Sequence, residues 1–247
     1  MNAKMTQTTF PGFDAVDITS SNDVVKSVSY DNGEIIRSIL ELHVPNHHVD
    51  CDPTYSKGNF YKNSGVKEPW LKFDISPQTD DTVQSDFRHL PLDGGSVDCI
   101  MFDPPFVISN GPSLDDCPDG SNIIHNRFSS FKNPQELFGC YYDALCEFYR
   151  VLRDNGVLIF KCQDTVSSGT NYMTHCYIHN MALSIGFYPK DLFVLNAPTR
   201  VISGKHTTQQ HARKFHSYFW VFEKGNRRLS KVEPFSEYAE YRRADNG

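Results

Sequence analysis

At 247 residues the chain has room for one α/β domain with a full core and too few residues for two. Hydrophobic residues at 39% and charged residues at 22% are ordinary globular composition, and no apolar run approaches the roughly 18 residues of a membrane span. The net charge of −6 argues, taken as a sum, against a nucleic-acid partner. Met1 to Phe10 is polar and lacks the basic region and apolar stretch of a signal peptide. Seven cysteines, several inside strand-like runs and none in a CxxC pair, point away from a disulfide framework or a zinc site and towards a reducing cytoplasm.

Residues 1–30 are polar and aperiodic, an expected arm. From Asn32 the spacing of Ile35, Ile36, Ile39, Leu40 and Leu42 predicts a helix that Pro45 ends. His48 to Asp52 reads as a buried strand running into the turn Pro53 to Asn59, and Trp70 to Phe73 as a second strand closed by Asp74 and Pro77. Ser96 to Phe102 is a third strand, entering Asp103-Pro104-Pro105-Phe106. A loop rich in Gly, Ser, Asp and Pro follows, then a helix over Gln135 to Leu152 with the stop signal Asp154-Asn155-Gly156 behind it. Gly156 to Lys161 is an apolar strand, and Thr174 to Ile185 a helix with Gly186 at its end. Leu192 to Leu195 and Tyr218 to Phe222 are the last strands, and the final residues form a polar tail. Strands alternating with helices call for a mostly parallel sheet covered on both faces, binding ligands outside the carboxyl ends of its strands. Both notable turns fall at such ends.

The charge is unevenly placed. From Pro198 to Arg228 there are seven Lys or Arg against one acid, Glu223, and His206, His211 and His216 can add partial positive charge. An acidic body with one basic segment describes a local phosphate-binding edge as well as a solvated loop. Arg200, Lys205, Arg213 and Lys214 are the candidate contacts there, and Gln209 or Gln210 can read an adenine edge. Lys161, at a strand end on the ligand edge, is a further phosphate candidate; a solvated lysine is the plainer reading. The histidines of this segment would not share a face, so no metal site is expected.

The chemistry concentrates at Asp103-Pro104-Pro105-Phe106. Two prolines lock the backbone as it leaves the sheet and fix the direction of their carbonyls. An acceptor side chain at the first position and a rigid carbonyl at the second can both take hydrogen bonds from one NH2 group. Methylating an aromatic amine requires this, because its lone pair is delocalised until acceptors draw the nitrogen towards sp3 character. An aromatic at the fourth position can stack on a flipped base. The plain structural reading is a Pro-Pro turn with a capping Asp.

Here the sequence resembles the class I, S-adenosylmethionine-dependent amino-methyltransferases, which carry (D/N/S)-PP-(Y/F/W) at this place. An Asp in front leans towards N6-adenine enzymes, Ser towards N4-cytosine enzymes and Asn towards glutamine methyltransferases; some RNA adenine-N6 and guanine-N2 enzymes also use DPP-aromatic. Asp52-Pro53-Thr54-Tyr55-Ser56-Lys57-Gly58 is similar to the family's cofactor loop D-x-x-x-G-x-G, with Ser56 in place of the first Gly. The resemblance makes Asp52, Thr54, Ser56 and Gly58 cofactor contacts. It makes Asp74 the acceptor of the ribose hydroxyls, and puts Asp86 and Phe87 at the adenine ring. Asp74 lies 22 residues after Asp52, Asp86 12 further on, and Asp103 17 beyond that, which is the βαβ rhythm of the fold. Motif order and the run His211 to Ser217 resemble small DNA adenine-methylase-like proteins of bacteria and phages, over roughly Gly33 to Lys224.

The resemblance implies a single Rossmann-like class I methyltransferase domain over 31–225. It carries a mostly parallel seven-stranded sheet with one antiparallel strand, helices on both faces, and recognition loops at 107–134 and 197–216; an arm (1–30) and a tail (226–247) flank it. The implied reaction uses S-adenosyl-L-methionine to methylate N6 of a flipped adenine in DNA, with Asp103, Pro104, Pro105 and Phe106 as the catalytic turn. Three alternatives stay open: an RNA methyltransferase acting on adenine N6 or guanine N2, a DNA cytosine-N4 methyltransferase, and a catalytically silent nucleic-acid-binding module. No membrane partner is expected, and a homodimer or a restriction or phage-defence partner stays open.

Overall fold

The protein is described by a computed structural model that covers residues 24–62, 64–106, 108, 131–197 and 210–225. In chain order the elements are β1 (Val28–Ser29), α1 (Asn32–His43), β2 (Cys51–Asp52), β3 (Leu71–Asp74), β4 (Val83–Gln84), β5 (Val97–Phe102), α2 (Pro134–Val151), β6 (Leu152–Cys162), β7 (Thr165–Ser167), β8 (Thr170–Tyr172), α3 (Thr174–Ile185), β9 (Phe187–Asn196) and β10 (His216–Lys224).

The helices begin and end where local chemistry satisfies their free backbone groups. Asp31 caps α1 by accepting from the Glu34 amide, while the Ser29 hydroxyl donates to the Glu34 carboxylate at 2.6 Å. Asn133 caps α2 in the same way, Pro134 opens it, and Glu136 reaches back to the Lys132 amide at 2.8 Å. Gly186, at φ +116°, closes α3 in the left-handed region.

Eight strands form one sheet in the order β1-β9-β10-β6-β5-β2-β3-β4. β1–β9, β6–β5, β5–β2, β2–β3 and β3–β4 are parallel pairs, and β10 runs antiparallel to both of its neighbours. Sequence reading anticipated seven strands. Of the eight observed, β1 and β4 lay outside the six strands read one by one; β1 is two residues from the segment read as an arm, which pair with Val194 and Leu195 at the edge. Two residues carry no readable alternation, so propensity alone could not mark them. β4 and the hairpin of β7 and β8 were equally silent; in the hairpin, Ser168 and Gly169 both take positive φ at the turn. The Asp154-Asn155-Gly156 signal, read as the stop behind α2, lies within β6 just past the end of the helix. β6 starts at Leu152 directly from α2, and Asn155 at φ +64° sits in it opposite a register shift in β5.

Period-2 alternation sends the sheet's side chains to two cores. Ile100, Phe102, Leu158 and Phe160 meet α2 and α3 on one face. Cys99, Met101, Val157 and Ile159 meet α1 and the turn segment carrying Tyr55, Tyr61 and Val66 on the other. The second face is thus covered by one helix and a folded turn. Leu42, grouped with the core by its spacing, is 50% exposed. Among the described residues no helix is long and apolar enough to cross a membrane.

Phe102 is fully buried and meets Phe87, Phe148 and Phe160 edge to face, with ring centroids 4.7–5.0 Å apart. Phe102→Ala should therefore lower the unfolding free energy by about 3–5 kcal/mol in denaturant titrations. Val83→Ala, at the exposed sheet edge, should stay within about 0.5 kcal/mol of the parent.

Candidate active site

Along this sheet the strand order reverses between β2 and β5, and the crevice of an open α/β sheet lies at that reversal, outside the carboxyl ends. Asp52 ends β2, Asp74 ends β3, Asp86 lies two residues past β4, and Asp103 follows the last residue of β5. Four acids separated by up to 51 positions in sequence share one edge because their strands are parallel.

Thr54 ties the two sides of the reversal together. Its amide and hydroxyl donate to Asp52 Oδ1 at 2.8 and 3.2 Å, and the hydroxyl oxygen accepts from the Asp103 amide at 3.0 Å. The other Asp52 oxygen accepts from the Tyr61 hydroxyl at 2.8 Å. Asp52 is 2% exposed, so this predicted cofactor contact is an interior strut that shapes the loop. Burial is the main cause that pushes its carboxyl up to about 7; hydrogen bonds from Thr54 and Tyr61 pull it back, and the Asp103 charge pushes it further up.

The loop continues through Ser56 at φ +52° and Gly58 at φ +66°. A Cβ on Gly58 would lie 2.4 Å from the Tyr55 hydroxyl oxygen, so the turn needs glycine there. Ser56, standing where the motif expects glycine, adopts the left-handed region and donates its amide to Asp74 Oδ2 at 2.9 Å. The Ser76 amide donates to Asp74 Oδ1 at 2.8 Å. Asp74 is thus a half-exposed carboxylate, aimed by two backbone donors and with lone pairs to spare. Asp86 is chelated by Arg88, with contacts of 2.6–3.1 Å, and the guanidinium is the largest cause holding its carboxyl below the usual range. Phe87 packs on Phe102.

At the catalytic turn, Pro104 is buried while Asp103, Pro105 and Phe106 are half-buried. The Tyr141 hydroxyl of α2 donates to the Pro105 carbonyl at 2.9 Å, so both ends of the turn are pinned. Ile108 and Phe131 form an isolated bridge just beyond it. Burial raises the Asp103 carboxyl and the facing Lys161 lowers it. The Lys161 ammonium lies 3.4 and 3.5 Å from the two Asp103 oxygens, 4.6 Å from the Phe60 ring centroid and 5.7 Å from that of Phe219. The sequence offered it as a phosphate contact or a solvated strand-end lysine; the structure sets it beside Asp103 with its side chain 16% exposed. Phe60 also lines an open cleft of about 340 Å³ between the start of α1 and the turn at Asn59–Ser64.

Because β10 runs antiparallel, the segment before it returns to this same carboxyl edge. Arg213 is exposed there and Lys214 half-buried. The Gln163 amide donates to the His216 carbonyl at 2.7 Å, and His211 bonds to the Gly169 carbonyl of the hairpin at 2.7 Å. Arg200, Lys205, Gln209, most of the two recognition loops, residues 1–23 and the tail lie outside the described residues. Thr54, Tyr61, Tyr141, Phe60 and Phe219 join the described site without having been read as catalytic. Thr54 was legible only as part of the loop, and the aromatic residues carried no motif at all.

A parallel sheet reversed at one junction and closed by a single antiparallel strand defines the class I methyltransferase type of Rossmann-like fold. Within that class the chain belongs to the DNA methylase family, whose profile matches residues 97–245, more than half of its length. The match opens on the first residue of β5 and includes Asp103 to Phe106, whereas Asp52, Asp74 and Asp86 precede it. Among curated proteins no relative matches. Among solved structures, a protein of Thermus thermophilus inferred to be a DNA modification methylase aligns with TM-score 0.40 and 12% identity, over 68% of this chain and 64% of that one. Its complex with S-adenosyl-L-methionine aligns with TM-score 0.38 and 15% identity, over 62% of each chain. A methyltransferase of Haloferax volcanii in complex with the activator Trm112 aligns with TM-score 0.43 and 15% identity, over 71% of this chain and 82% of that one. The chain thus spans about 64% of the first Thermus protein's length.

The raised Asp52 carboxyl has a signed consequence. A carboxyl whose folded value lies above its unfolded one favours the folded state below the unfolded value, near 4, and loses that contribution as pH rises through about 7. The melting temperature of the parent relative to Asp52→Asn should therefore fall between pH 4 and pH 8. A flat difference across that range would mean that Asp52 does not titrate upward.

Proposed function

We propose that the protein is an S-adenosylmethionine-dependent DNA methyltransferase that methylates the exocyclic N6 amine of a flipped adenine. One observation carries the reading: at the reversal of a methylase sheet, a carboxylate leads a rigid Pro-Pro turn whose backbone is fixed at both ends. Asp103 and the Pro104 carbonyl accept from the target amine and turn its lone pair outward. Phe106, half-buried beside them, stacks on the base.

The donor set at the loop fits the methyl donor. Asp74 would hold the ribose hydroxyls, the Ser56–Gly58 backbone would receive the ligand where the loop turns at positive φ, and Phe87 would pack on the adenine ring. When bound, the donor would supply an electrophilic methyl carried on a sulfonium, and the proton displaced from the amine would pass to water. This chain's residues position the amine and exclude other geometries. Asp103 need not act as a strong base. Arg213 and Lys214 supply phosphate contacts along the edge that β10 brings round. The leading Asp favours adenine over cytosine, and a DNA over an RNA substrate follows from the family.

Asp103→Ala should lower transfer of labelled methyl from S-adenosylmethionine to unmethylated DNA by about 100-fold or more, while calorimetry shows the cofactor still bound. With the parent protein, label recovered as N6-methyldeoxyadenosine supports the reading. Label in N4-methyldeoxycytidine would move the target base, and label confined to ribonucleosides would move the substrate to RNA. Loss of cofactor binding together with transfer in the variant would indicate a folding defect.

A further inference from the structure

Lys161 sits where the strand pairing leaves it no solvated option. Its neighbours Phe160 and Cys162 point into the core beneath α2 and α3, at 0% and 2% exposure. Lys161 therefore points to the opposite face, paired across the strands with Phe219 of β10. Phe102 pairs with Phe160, so the residue after Phe102, Asp103, arrives beside Lys161 on the next step of the ladder. The ammonium is nearly equidistant from the two carboxylate oxygens and lies over the rings of Phe60 and Phe219. A lysine reaching for a nucleic-acid phosphate would need its ammonium in solvent. This one is braced between two rings and a carboxylate.

The contact distances also matter. A charge-assisted bond closes to roughly 2.7–2.9 Å and occupies a lone pair. At 3.4 and 3.5 Å the ammonium makes long contacts, the second at the limit of a hydrogen bond, and the two carboxylate oxygens keep lone pairs for a further donor. Burial works against ionisation of Asp103, and Lys161 is the group that opposes burial. Beyond burial, the Asp103 charge in turn raises the Asp52 carboxyl across the reversal, the Tyr141 phenol from α2 and the Cys162 thiol from β6. A protonated Asp103 would present a donor to an amine that needs an acceptor.

Resting on the reading of the preceding subsection, we propose that Lys161 is a positioning residue for methyl transfer: held by Phe60 and Phe219, its charge keeps Asp103 an ionised, centred acceptor for the target amine.

The test compares the parent with Lys161→Met and Lys161→Arg, using the full chain with S-adenosylmethionine and unmethylated DNA. Ionised Asp103 is the active form, so the rate falls as pH drops through its pKa. Removing a cation within 4 Å should move that acid limb of the kcat profile upward by about one to three pH units. The KM for S-adenosylmethionine should be unchanged, and Lys161→Arg should keep the limb near the parent's. Carbon NMR of aspartate-labelled protein, with Asp103 assigned by its loss in Asp103→Asn, reads the same displacement without requiring activity. An unshifted limb with a loss uniform across pH, or an unshifted Asp103 resonance titration, overturns the inference. A parent that transfers methyl to no nucleic acid, although its Asp103 titration shifts in Lys161→Met, overturns the functional reading and removes the role with it.

Discussion

The site depends on a single crossing between neighbouring strands. Where β2 and β5 run parallel at the reversal of the sheet, each delivers an aspartate to the same edge, and the two carboxylates must coexist in a poorly solvated place. Thr54 makes this possible with one hydroxyl that donates to Asp52 and accepts from the Asp103 amide. Tyr61 and Lys161 then meet the remaining demand from opposite sides, one as a neutral donor to Asp52 and the other as a cation beside Asp103. The two acids are thereby given different environments: Asp52 is an internal strut, and Asp103 is half-buried beside a cation.

That division explains why so many aromatic residues gather at the site. A cation close to a carboxylate could collapse onto it and occupy its lone pairs, or swing into water and leave the carboxylate unsupported. Phe60 and Phe219 block both courses while adding no competing acceptor. Tyr141 does the complementary work at the turn, where two prolines remove amide donors and the Pro105 carbonyl needs a partner. Behind the turn, Phe102 and its edge-to-face neighbours give β5 a rigid end, so that Asp103 leaves the sheet in a fixed direction.

The basic segment is placed by strand direction. β10 is the antiparallel member of the sheet, so the chain entering it approaches from the carboxyl edge, bringing Arg213 and Lys214 to the side where Asp103 stands. The β7–β8 hairpin supports that approach through His211. A net charge of −6 thus coexists with a local basic border, because a phosphate backbone responds to the charges within a Debye length of roughly 8–10 Å and less to the sum.

By itself the sequence determined the elements whose signals are local. Apolar spacing marked α1, α2 and α3, and Asp31, Asn133 and Gly186 carry their boundaries in cap chemistry. The strand before Asp103-Pro104-Pro105-Phe106, and the spacing of four acids at strand ends, gave the fold class and the family-like turn. Four strands of two or three residues, β1, β4, β7 and β8, were silent because so short a run leaves no period to read. Only the tertiary structure decided the surroundings of Asp52 and Lys161 and the aromatic rings beside them. A buried acid and an exposed one have the same letter, and a lysine at a strand end reads as solvated until the register shows which carboxylate lies one step across the ladder.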